Sequence, residues 1–323
     1  MEPRRKRRLY SLGIPLALIV VLIVALVLRF HAPPEVARLL PESDAILYMN
    51  LKPVRTATHF DEKSVAPSPE YAKFLDGTGF HWERDLDRIA VSVHRMPNPN
   101  GPNGVVAYTG VMEGRFDSRK LTEYLEHNSV ATENYAGHTV YTVPGNEGRV
   151  MRVSALGYDM VAASNMPTPE QIHSVIDRYA AGASPLSGSS LLSLRYREVP
   201  YFALAWGIGH VGLPFSDRGN IQVFGVTLPM SEDTDFIVSL AFRGSLQLRV
   251  EELAPTEADA VQTAANLATI LTLVRGFSQG TATPQDAVLH QAFASLSVEQ
   301  KKTRVVITGD VSRSLLSEAV GGK

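Results

Sequence analysis

The chain has 323 residues, 45% apolar and 20% charged, with a formal net charge of −2 and no cysteine. This is globular composition with length for about two domains, and it excludes disordered, collagen-like and disulfide-scaffold architectures. The lack of cysteine removes disulfides, thiolate metal sites, cysteine nucleophiles and a lipid-bearing N-terminal cysteine. The near-neutral charge argues against a nucleic-acid partner.

The charge is unevenly spread. Residues 1–31 carry six basic side chains and one acid, whereas residues 32–323 carry 25 basic and 32 acidic ones. The basic block Arg4-Arg5-Lys6-Arg7-Arg8 precedes an uncharged run from Leu9 to Leu28, closed by Arg29. As a helix that run is about 30 Å long, the thickness of the hydrocarbon core. Gly13 and Pro15 sit near its start, where a helix tolerates them best. A cleaved signal peptide is the competing reading, but a cut after Ala32 would place the large Phe30 at −3. The sequence therefore predicts a cytoplasmic tail over 1–8 and a transmembrane signal anchor over 9–29 in contact with the lipid bilayer. The positive-inside rule leaves the N-terminus in the cytoplasm. The rest then lies beyond the inner (cytoplasmic) membrane, periplasmic or extracellular, and relies on packed cores without disulfide staples.

Beyond Ala32-Pro33-Pro34, a short amphipathic turn at 35–40 leads to a strand at 45–51. Residues 56–82 read as irregular, with one helical turn near 71–75. Strands at 88–94 and 104–113 flank the turn cluster Pro97–Asn103. Asp117 is placed to cap a helix over 118–127, with Phe116 and Leu121 at staple positions. Strands follow at 138–143, 149–155 and 159–164. Thr168-Pro169-Glu170-Gln171 reads as a capping box for a helix to Ala180.

Pro185–Ser190 is the candidate boundary between a first half, 30–187, and a second, 188–323. Strands are expected at 201–206 and 220–227, and a hairpin at 235–242 and 246–253 turns on Arg243-Gly244-Ser245. Thr256 caps the longest soluble helix, 257–275, which Gly276 ends. Its residues Ala258, Val261, Ala264, Ala265, Ala268, Leu271 and Val274 form a broad small-residue face suited to packing. A helix at 283–294, a strand at 303–310 and a helix at 312–320 close the chain. The fold class is α+β: after the transmembrane helix come two similar halves, each an antiparallel sheet with helices.

No motif carries chemistry. Gly207-Ile208-Gly209-His210-Val211-Gly212 spells G-x-G-x-x-G, but Leu213-Pro214 follows where a phosphate-binding helix should open. The nine histidines include no two within four residues, so no helix presents a ligand pair. The acids Glu83, Asp85 and Asp87, and Glu251, Glu252, Glu257 and Asp259, read as surface or helix-start charges. Neither G-x-S-x-G nor S-x-x-K occurs. Trp82, Phe80 and Tyr71 read as core. No catalytic, cofactor-binding or metal-binding residue is assigned, and no cofactor is implied.

Pro41–Leu51 directly after an anchor, then 236–242, Arg243-Gly244, 246–253 and an Ala-rich helix, resembles a group of bacterial membrane-anchored proteins with repeated α+β extracytoplasmic units. The resemblance implies a periplasmic location and no assigned activity. The leading expectation is a single-pass protein that binds or scaffolds in the cell envelope, with a possible envelope protein partner. An envelope hydrolase and a carrier of a lipid or other apolar ligand are the alternatives, the latter requiring a large apolar cavity.

Overall fold

The computed structural model describes residues 32–312, apart from 63–66, 99, 101–103, 146–147, 184–187, 211–219, 224–225, 230–233, 243 and 278–293. Among the described residues no helix is long and apolar enough to cross a membrane. The expected anchor at 9–29, its tail at 1–8, and the helices expected at 283–294 and 312–320 fall wholly or almost wholly outside them.

A mixed α+β chain builds one large antiparallel sheet of twelve strands. Helix α1 (Glu35–Arg38) leads into strand β1 (Ala45–Asn50). Helices α2 (Leu51–Thr58), α3 (Pro69–Thr78) and α4 (Trp82–Asp85) then lead to β2 (Leu86–Arg95) and β3 (Val106–Gly114). Helix α5 (Ser118–Asn128) precedes the run β4 (Ala131–Tyr135), β5 (His138–Pro144), β6 (Val150–Ala155) and β7 (Met160–Ser164). After α6 (Glu170–Ala180), α7 (Ser190–Arg195) and a 3₁₀ turn at Tyr196–Glu198 come β8 (Ala205–His210), β9 (Asn220–Val223) and β10 (Val226–Pro229). Strands β11 (Asp235–Phe242) and β12 (Ser245–Leu253), helix α8 (Glu257–Phe277), β13 (Ser297–Lys301) and β14 (Arg304–Ser312) complete it. The strand order is β13-β14-β12-β11-β8-β1-β2-β3-β7-β6-β5-β4, and β9 and β10 pair as a separate hairpin.

The centre of this sheet is the β1–β8 seam, where Ala45, Leu47 and Met49 face Gly209, Gly207 and Ala205. The G-x-G spelling thus lies in a regular central strand. A Cβ on Gly209 would stand 2.9 Å from the Ala45 Cβ, and one on Gly207 2.8 Å from Leu47 Cδ2. The glycines let β1 and β8 close on each other.

Strand alternation sends Ile46, Tyr48, Ala90, Val111, Ala162, Trp206 and Ile208 to one face, where α1, α6 and α7 cover them with Val36, Leu39, Ile172, Ile176 and Leu192. The opposite face carries α5, through Leu121 and Leu125 on Tyr141 and Val161. It also carries α2 to α4, through Leu51, Phe80 and Leu86. Helix α8 packs there through Ala260 on Val305. Between these helices Leu47 and Met49 remain over 40% exposed.

Several expectations are corrected. The stretch 56–82 is largely helical, and Ser68 with Pro69 starts α3: Ser68 Oγ accepts from the Tyr71 amide at 3.3 Å. The exposed edge strand β4 and helix α7 lack the apolar alternation or length that would mark them in sequence. Helix α6 is preceded by Pro169 with no side-chain cap, in place of the Thr168 capping box. Residues 220–229 form two strands rather than one. Helix α8 continues through Gly276, and its buried side is Ala260, Thr263 and Ile270, while Ala258, Val261, Ala265 and Ala268 face solvent. The caps at Asp117 and Thr256 stand as read: each accepts from the amide three residues on, at 3.1 and 3.2 Å.

Beneath α8, Glu252 is buried on the sheet. Its Oε1 accepts from Thr263 Oγ1 at 3.1 Å, and its Oε2 has no partner. Burial, with Asp259 nearby, pushes its carboxyl up from the ordinary 4.5 to about 7. The folded state therefore keeps a proton that the unfolded chain releases. This contribution to stability is present in full below pH 4.5 and drains away as pH rises to about 7. Glu252→Gln should remove that slope, as urea unfolding at pH 5 and pH 8 will show; an unchanged slope refutes the assignment. Gly209→Ala should cost roughly 1–3 kcal/mol by forcing β1 from β8, read from the same titration.

Candidate functional site

The helix-covered face changes character across the sheet. One in-register row runs Val111, Ala90, Tyr48, Trp206, Ser239, Arg249, Thr308 and Ser297. It is apolar and buried under helices through Trp206, then turns polar. The next row passes from Ile46, Ile208 and Ile237 to Glu251. The polar end forms an open trough of about 640 Å³ on β11, β12 and β14, walled by the 3₁₀ turn at Tyr196–Glu198.

Alternation in β12 aims Gln247, Arg249 and Glu251 into the trough. Arg304 opens β14 from the same side. Arg249 Nε donates to Glu251 Oε1 at 2.6 Å. Arg304 Nη1 donates to Glu251 Oε2 at 3.3 Å and to Glu198 Oε2 at 3.0 Å. Arg197 Nε lies 3.5 Å from Glu198 Oε1. The carboxylates are sunk, with Glu251 5% and Glu198 18% exposed, whereas the Arg249, Arg304 and Arg197 side chains are 42, 41 and 76% exposed. At the far end, Asp310 accepts from Ser245 Oγ at 2.8 Å and Gln247 Nε2 at 3.4 Å. Ser297 and Thr308 hydroxyls share a 2.7 Å hydrogen bond.

Two carboxylates on one guanidinium bring glycoside hydrolysis to mind, but that reaction needs one acid kept protonated. The Arg304 hydrogen bond holds Glu198 below the usual carboxylate range. Glu198 is therefore not suited to be the protonated acid of such a pair.

Several other titratable groups are paired within the fold. Asp85 is held by Arg84 and Arg115, Asp87 by Arg55, and Glu83 accepts from Tyr71 Oη at 2.9 Å. Glu251 and Glu252, neighbours in sequence, go to opposite faces. Trp82 stacks on Phe60 and Phe80 on Phe116. His94 Nε2 lies 3.0 Å from Ser92 Oγ, a serine–histidine contact, yet Ser92 is fully buried and donates to the Thr109 carbonyl. No substrate reaches it. His173 stacks on Tyr135 beside Glu133, and buried Asp235 binds both His210 and Arg195. Among the described residues no three His, Asp or Glu converge as a metal set.

Sequence reading missed Arg249, Arg304 and Glu198. The signal for the first was present: Gln247, Arg249 and Glu251 alternate with Leu246, Leu248 and Val250. Nothing in sequence ties them to Glu198 and Arg304, which lie 106 positions apart.

No family model and no curated relative matches the chain. Among solved structures, crystal form III of TP0453, a Treponema protein, is 10% identical with a TM-score of 0.49, covering 90% of this chain and 99% of that one. Crystal forms IV and I of TP0453, also 10% identical, score 0.46 and 0.44, each over 90% of this chain and 97% and 96% of the other. These are remote likenesses of chain layout alone.

Arg304→Met should destabilise the protein by about 1–3 kcal/mol, because Glu251 and Glu198 lose their shared partner and keep only Arg249 and Arg197. Adding Glu198→Gln and Glu251→Gln should recover more than half of that loss in urea unfolding. No recovery would mean that Arg304 acts through packing.

Proposed function

We propose that this is a single-pass, membrane-anchored extracytoplasmic protein that binds a polar component of the cell envelope. The trough on β11, β12 and β14 is its binding site. One observation carries the reading: α1, α6 and α7 cover this face in the N-terminal half, whereas among the described residues no helix covers it in the C-terminal half, where it is lined with ion-paired arginines and hydroxyls. A polar lining favours a polar ligand over an apolar one. The basic tail and long apolar run at the N-terminus support the anchored, outward-facing orientation. The order of elements supports two similar halves: in each, a run of sheet strands is followed by a helix and then by strands that return beside the last of the run, β7 beside β3 and β14 beside β12.

The test uses the full chain in detergent micelles against a panel of amino acids, sugars, sugar acids, sugar phosphates and short peptides, read by thermal shift. At least one polar compound should raise the melting temperature, and Gln247→Trp, which obstructs the trough, should abolish the rise. A panel without any trough-dependent ligand overturns the reading. For topology, Tyr158 is 81% exposed and the chain lacks cysteine. Tyr158→Cys should react with a membrane-impermeant maleimide on intact spheroplasts; labelling only after lysis refutes the orientation.

A further inference from the structure

We propose that the trough recognises an oxyanion, a phosphate or carboxylate, carried on a hydroxyl-bearing ligand such as an acidic sugar. This rests on the trough being a binding site, and it names what the site selects.

The formal charges within the trough balance, with Arg197, Arg249 and Arg304 against Glu198, Glu251 and Asp310. Their depths do not. Glu251 and Glu198 lie at the floor, whereas the three arginine side chains are 41 to 76% exposed. At the Arg304 and Arg249 end a ligand therefore meets cations, behind which Glu251 and Glu198 are screened.

Hydrogen bonding points the same way. Arg249 reaches Glu251 through Nε, and Arg304 reaches both acids through Nη1. Among the described residues, neither guanidinium makes the parallel two-nitrogen fork with a carboxylate that occupies one side of arginine in a closed pair. The acids fix the position of each guanidinium, and among the described residues its remaining N–H groups have no hydrogen-bond partner, which leaves them to an incoming oxyanion. Guanidinium forks match phosphate and carboxylate geometry and are weakly hydrated, so they suit this role better than lysine. Among the described residues no lysine lines the trough.

The rest of the lining addresses the remainder of the ligand. Asp310 is exposed, and Gln247, Thr308 and Ser239 add donors and acceptors on the same floor. Such groups pair with hydroxyls, and Asp310 repels a second anion. The ligand thus places its charge near Arg304 and Arg249 and its hydroxyls toward Asp310.

Binding of glucose 6-phosphate, glucuronate and glucose to the full chain in micelles, by calorimetry, tests this. Phosphatidylglycerol and phosphatidylcholine vesicles form a second arm. Both acidic sugars should bind at least ten-fold tighter than glucose, and affinity should fall as salt rises from 20 to 300 mM. Tighter binding to phosphatidylglycerol than to either acidic sugar would assign the same oxyanion chemistry to a lipid headgroup. Arg249→Lys keeps the ion pair with Glu251 but loses the fork, and should weaken acidic-sugar binding about ten-fold at unchanged melting temperature. Arg197→Gln, at an exposed position, should weaken it less. Glucose binding as tightly as glucuronate, still blocked by Gln247→Trp, overturns the oxyanion inference and leaves the binding reading standing. Absence of any trough-dependent ligand removes both.

Discussion

The pairing of β1 with β8 is the constraint on which the remaining architecture depends. It joins seven strands on one side to five on the other and makes them one sheet. Every in-register row that crosses the molecule passes through this seam, so its register decides which side chains share a face. A slip of β1 by one residue would put exposed Leu47 on the covered face in place of Tyr48, which stacks on Trp206 there at 5.3 Å. Gly207 and Gly209 allow the close approach because neither presents a Cβ to β1.

From that seam the covered face runs in two directions with opposite outcomes. Toward β7 it meets Ala90, Val111 and Ala162, and α1, α6 and α7 close over them. Toward β14 it meets Ser239, Arg249, Glu251 and Arg304, which form the open trough. Burying an ion pair is costly unless its geometry and remaining hydrogen bonds are well satisfied. Arg304 bridges two carboxylates, and Arg249 holds the second oxygen of one of them. The outcome is a charged floor built on paired strands.

Buried polar groups elsewhere are absorbed into the framework. Ser92, Thr109 and Ser164 form a hydrogen-bonded row beneath the helices, with His94 at its end. Glu252 is the opposite case. It lies one residue from Glu251 but on the face under α8, with one oxygen unpartnered. Strand geometry alone separates the fates of these two adjacent acids.

The sequence by itself determined local elements whose cause is local. Asp117 and Thr256 cap their helices because each side chain reaches an amide three residues away. The strands at 88–94 and 235–253 follow from apolar alternation, and the antiparallel α+β class follows from short turns between strands. Ser68-Pro69 was an equally local signal, legible in retrospect as a cap with proline at the first helical position. Strand β4 gave no such signal, since an exposed edge strand has no buried side to pattern it. Tertiary structure alone decided the seam and the trough. Arg249, Glu251, Arg304 and Glu198 come from three separate elements, and only the register of β8 with β11 and of β12 with β14 brings them together. Periodicity tells which residues of one strand share a face; it does not tell which strand lies beside it, or whether a helix covers that face.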